Sequence, residues 1–170
     1  MNSMKLTLLS VCLCGTASLL SSCNDDEDYT SEIPQFSDVT FHVLGSNNTE
    51  LRVGDKIVAT AVQSKKGHLL HGATMSWSST PDAQHSFKAG VVYDAQNENP
   101  TDTIEVTAAG RYSLTFTSKY DVSGIYKIYN ETVPFADGNG QVRYQTLSQL
   151  YYQVTITKNF TVLPAKNSNE

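Results

Sequence analysis

The sequence predicts an all-β fold, an antiparallel β-sandwich whose core about 130 residues can fill. Three observations carry this. Apolar residues recur with period two in one short run after another. Glycine, asparagine and proline clusters separate those runs. From residue 24 onward no segment keeps a helical spacing.

The runs follow in order. Residues 39–43 alternate ahead of a turn cluster at 45–48. Residues 56–62 place Ile57, Ala59 and Ala61 on one face, and Gly67 marks the next turn. Residues 73–78 group Ala73, Met75 and Trp77. A weaker strand is expected over 86–93, then a polar loop at 97–101 with Pro100, then a strand over 103–107. After a turn at Ala109-Gly110, residues 111–117 place Tyr112, Leu114 and Phe116 together. The last strand is expected over 151–162, before Pro164. Between these two lies a long excursion, residues 120–150, expected as an elongated hairpin or folded loop projecting from one end. Long connections of this kind often carry function.

Gly54-Asp55 before an apolar strand, Trp77 in MSWSS, and AAGRYSLTF at 108–116 stand in a telling order. Together they resemble the PKD-like or immunoglobulin-like modules of bacterial surface proteins, over about residues 38–118 and 150–163. The resemblance implies that Trp77 packs in the core and that Tyr112 forms a tyrosine corner. It also implies that Leu114 stands where antibody domains keep a cysteine, so packing alone holds the sheets together.

The N-terminus carries a separate signal. Lys5 precedes a mostly apolar run of fifteen residues, 6–20. That is shorter than the roughly 20 residues a membrane span needs, and it reads as a secretory signal. Leu20-Ser21-Ser22-Cys23 closes it. This tetrapeptide resembles the lipobox of bacterial lipoproteins, which implies cleavage before Cys23 and acylation of its thiol and new amino terminus. An ordinary signal with a chance cysteine is the bland alternative. Cleavage removes Cys12 and Cys14, whose CxC spacing lies in the apolar run with no acid or histidine beside it. Asp25, Asp26, Glu27 and Asp28 follow directly. A solvated spacer explains them, and they also resemble the acidic run of Bacteroidota lipoproteins exported to the cell surface. A periplasm-facing anchor is the rival. The expected organisation is a signal at 1–22, a lipidated acidic tether at 23–37, a sandwich at 38–164 and a polar tail at 165–170.

Charge narrows the partners. A chain beginning at Cys23 holds 11 bases and 17 acids, and five of those acids lie in the tether. The remainder is nearly neutral and gives no basic patch for nucleic acid. No G-x-S-x-G or H-E-x-x-H occurs, so the chain is expected not to be an enzyme and to need no cofactor. Asp137-Gly138-Asn139-Gly140 could begin a calcium loop but lacks its further ligands, and a hairpin turn explains it fully. Asp94, Glu98 and Asp102 are equally sparse. His68 and His71 flank a turn without further zinc ligands. No metal is expected.

Six of the nine tyrosines fall between Tyr120 and Tyr152. Tyrosine favours strands, but it also makes contact surfaces that stack on sugars. Tyr126, Tyr129 and Tyr144 are the candidate ligand-binding residues, while Tyr151 and Tyr152 should point to opposite faces. The expected function is a non-enzymatic, membrane-anchored binding module for a glycan. The alternative is an accessory subunit docking on another outer-membrane protein.

Overall fold

The computed structural model describes residues 29–95 and 99–166. The signal, Cys23, the acidic run, Glu98 and the end of the polar tail lie outside them. The described chain forms ten strands. These are β1 (Gln35–Val43), β2 (Lys56–Lys65), β3 (Leu70–Thr80), β4 (Gln84–His85), β5 (Val92–Asp94), β6 (Thr101–Glu105), β7 (Gly110–Val122), β8 (Asn130–Pro134), β9 (Gly140–Ser148) and β10 (Tyr151–Val162).

They make two antiparallel sheets, ordered β1-β2-β6-β4 and β5-β3-β7-β10-β9-β8. This is the immunoglobulin-like arrangement. The strand faces predicted from alternation meet in the core, with Ile57, Ala59, Ala61, Met75, Phe116 and Ile156 fully buried. Trp77 is buried against Phe116, ring centroids 4.8 Å apart. Tyr112 is buried, and its hydroxyl donates to the Ala108 carbonyl at 3.0 Å. That is the tyrosine corner the resemblance implied. Leu114 is buried as well.

Three expectations are corrected. The weak strand at 86–93 is instead two short strands, β4 and β5, with irregular chain between them. The folded domain begins earlier than residue 38, because Ile33 and Phe36 belong to the core and Ser31 is wholly buried. Pro34 and its polar neighbours disguise that segment as linker. Third, the excursion does not project. Strand β9 pairs with β10, and β8 with β9, so the insertion widens one sheet to six strands. Gly140 permits this. A Cβ there would meet the Thr157 carbonyl oxygen at 2.2 Å, so only glycine lets β9 start beside β10.

The strand directions give the sandwich two poles. Gln35 lies opposite Lys65, Leu70 opposite Val122, and Tyr151 opposite both Asp121 and Ser148. The N-terminal segment therefore enters at the pole that also holds residues 123–129 and the β9–β10 turn. Gly124 lies against it, where a Cβ would stand 2.2 Å from the Tyr29 carbonyl oxygen.

Near the opposite pole, Lys158 is buried and its Nζ reaches Asp38 at 2.5 Å and Asp137 at 2.6 Å. Burial pulls the Lys158 pKa down, but hydrogen bonds to Asp137 and Asp38 outweigh it, and the net shift is upward. The Lys158 hydrogen bond holds Asp137 below its ordinary 3.8. The Asp137 contribution to stability is thus complete above 3.8 and is lost as pH falls through its lowered value; the Lys158 contribution is complete below 10.5 and is lost as pH rises through its raised value. In chemical denaturation from about pH 5 to 2, the wild type should lose stability more steeply than Lys158→Met, which removes the shared cation. Parallel curves would contradict the linkage.

Candidate functional site

The candidate tyrosines do not share one exposed surface. Tyr126 is 38% exposed on the irregular chain before β8. Tyr129 is half-buried. Tyr144, on β9, is 4% exposed and faces the core. Its hydroxyl accepts from the Phe36 amide at 2.9 Å and donates to the Phe36 carbonyl at 3.3 Å. With ring and hydroxyl both engaged, Tyr144 offers no stacking face, and its place in a binding platform is withdrawn. Tyr151 is partly exposed and Tyr152 fully buried, on opposite faces as expected.

Tyr152 has the same task as Tyr144. Its hydroxyl donates to the Ser31 carbonyl at 2.9 Å and accepts from the Lys127 amide at 2.6 Å. Tyr129 packs edge-on against it, centroids 5.2 Å apart, and its hydroxyl accepts from the Ile33 amide at 3.4 Å. Burial raises the pKa of Tyr129, Tyr144 and Tyr152, so each phenol stays protonated at neutral pH and can both donate and accept.

A groove of about 360 Å³ lies beside this cluster, between residues 32–35 and 127–131. Its lining includes Tyr129 with Glu32, Gln35, Lys65, Asn130 and Glu131. Lys65 pairs with Glu32 at 2.5 Å, and the Lys127 ammonium stands 5.9 Å from the Tyr129 ring centroid. Carboxylate, amide and ammonium groups around one aromatic edge supply donors and acceptors to a ligand rich in hydroxyls. Glu32, Gln35 and Lys65 were not candidates in the sequence, because they approach the excursion only through the fold.

A second constellation also escaped the sequence. The Ser79 Oγ lies 3.3 Å from the His85 Nε2, and the His85 Nδ1 lies 2.6 Å from the Asp102 Oδ2. Asp102 is not a loop residue but is buried on β6. Its other oxygen accepts from the Ser86 amide, the Ser86 hydroxyl and the Phe87 amide, at 3.0, 3.1 and 2.8 Å. Ser79 follows Trp77 in the inward alternation of β3, so the relay runs between the sheets and ties the chain after β4 to β6.

Asp137 and Asn139 form the hairpin turn between β8 and β9, with the Asn139 amide on Asp137 at 2.9 Å. Among the described residues no three His, Cys, Asp or Glu side chains gather as metal ligands. No family model, curated protein or solved structure matches the chain.

The relay makes its own prediction. Asp102→Ala leaves the Ser86 and Phe87 amides without their acceptor and should cost about 3 kcal/mol in denaturant unfolding. A fluorophosphonate should leave Ser79 of the wild type unmodified. Labelling of Ser79 that disappears in His85→Ala would make the relay a nucleophile instead of a tie.

Proposed function

We propose that this chain is a non-enzymatic binding module, anchored by a lipidated Cys23 to the outer membrane, and that its ligand is a glycan. The observation that supports the ligand class is the groove at Tyr129. Its lining is mostly polar, whereas an apolar small molecule calls for a mostly apolar cavity. Its mixed amides, carboxylates and ammonium groups match sugar hydroxyls. The near-neutral domain adds no field that would prefer a polyanion. The site differs from the three-tyrosine platform expected from sequence, since Tyr129 alone of the three lines it.

The open edge of the wider sheet supports the second reading, an accessory subunit docking on another outer-membrane protein. Strand β8 is exposed at all five residues and, among the described residues, lies at the edge of its sheet beside β9. Such an edge is a template for added strands.

Affinity electrophoresis against a polysaccharide panel separates the two, using the chain from Asn24 onward. Retardation by at least one neutral polysaccharide is expected, with its loss in a variant combining Asn130→Ala and Glu131→Ala. Both side chains are exposed, so that variant should keep its fold. No retardation by any polysaccharide would overturn the glycan reading in favour of docking.

A further inference from the structure

Exposed apolar side chains are distributed unevenly. Of ten large hydrophobic residues exposed among the described residues, six lie at the pole where the N-terminal segment enters. They are Tyr29 (61% exposed), Ile125 (64%), Tyr126 (38%), Ile128 (78%), Leu147 (49%) and Leu150 (62%). Hydrogen bonds hold their backbones together. The Ile125 amide donates to the Tyr29 carbonyl at 2.7 Å and the Ser31 amide to the Ile125 carbonyl at 2.8 Å. The Thr146 hydroxyl donates to the Lys127 carbonyl at 2.7 Å, and the Val122 amide to the Leu150 carbonyl at 2.9 Å. The patch is therefore built on one frame and is not a set of independent loop tips. Solvent-facing clusters of this kind mark a surface that something covers.

The chain itself says what lies nearest. Five residues separate Cys23 from Tyr29. At no more than about 3.6 Å each, they keep this pole within roughly 20 Å of the Cys23 sulfur. An acylated Cys23 thus brings this end of the domain, and not the far end, to the bilayer surface. The side chains suit that place. Tyrosines belong at the headgroup level, and isoleucine and leucine below it. We propose that this pole rests on the lipid surface, with Tyr29 and Tyr126 at headgroup depth and Ile125, Ile128, Leu147 and Leu150 dipping beneath. This inference depends on the lipid-anchor reading of Cys23; because Ile128 also lines the groove at Tyr129, it sets the mouth of that groove at the membrane surface. It gives the exposed Tyr126 a lipid partner instead of a sugar. It also stands the sandwich upright, with Leu44 and Leu163 directed away from the membrane.

The test uses the full chain, expressed with its signal and purified as the lipoprotein. Its cysteines are Cys12, Cys14 and Cys23, so the processed, acylated chain has no free thiol. Single variants Ile128→Cys, Leu150→Cys and Leu44→Cys then each take one fluorophore. In phosphatidylcholine vesicles containing brominated acyl chains, the probes at 128 and 150 should be quenched at least about threefold more than the probe at 44. Intact mass reports the anchor separately. A chain without the acyl mass would remove the anchor and overturn the inference with it. An acylated chain with equal quenching at all three positions would overturn the inference alone. So would probes at 128 and 150 that escape the lipid quencher but become shielded in isolated outer membranes, which would assign the patch to a protein.

Discussion

Tyrosine hydroxyls hydrogen-bonded to backbone join the insertion of residues 123–150 to the rest of this sandwich. Tyr144 takes both backbone groups of Phe36, and Tyr152 bridges the Ser31 carbonyl to the Lys127 amide. The physical demand behind this is simple. A sheet widened beyond its usual last strand leaves an inner face that the opposite four-stranded sheet does not reach. The N-terminal segment covers it, with Ile33 and Phe36 in the core. But irregular chain buried there has amides and carbonyls that must find partners. A tyrosine reaches across the apolar layer and still ends in a donor and an acceptor.

That constraint decides what the site can be. Of the three tyrosines that look like a sugar platform, Tyr144 is already used in holding the fold, Tyr129 is half-used, and Tyr126 is exposed but does not line the groove. What remains for a ligand is the polar groove beside Tyr129, formed where the clamped segment meets the chain before β8. The same clamp fixes the pole at which the N-terminal segment enters, with its exposed Ile125, Ile128 and Leu150. In the proposed arrangement one structural element therefore orients the domain on its anchor and shapes the groove on its flank.

The sandwich was largely legible in the sequence. Strong alternation placed β10 at 151–162 and identified the buried faces of β2, β3 and β7. The sequence around Tyr112 pointed to the tyrosine corner. Elsewhere local pattern was silent for definite reasons. Residues 30–37 lack a clear apolar alternation, because the buried positions Ser31, Ile33, Pro34 and Phe36 are irregularly spaced and two of them are not large hydrophobic residues. Alternation in 140–148 shows that Val142 and Tyr144 share a face, but not whether that face meets core or solvent. The answer depends on whether the hairpin lies in the sheet or leaves it, and Gly140, which lets it lie in the sheet, looks in sequence like any turn glycine. Asp102 could not be distinguished from the loop acids around it, since its partners come from 16 and 15 residues away and from a histidine 17 away.

The claim at the centre is that these phenols hold backbone and not ligand. Native-state hydrogen exchange on a variant combining Tyr144→Phe and Tyr152→Phe tests it most directly, because it removes two oxygens and little else. The Phe36 and Lys127 amides should lose most of their protection, while amides of the β7–β10 ladder such as Phe116 and Ile156 keep theirs. Unchanged protection at Phe36 and Lys127 would contradict the account.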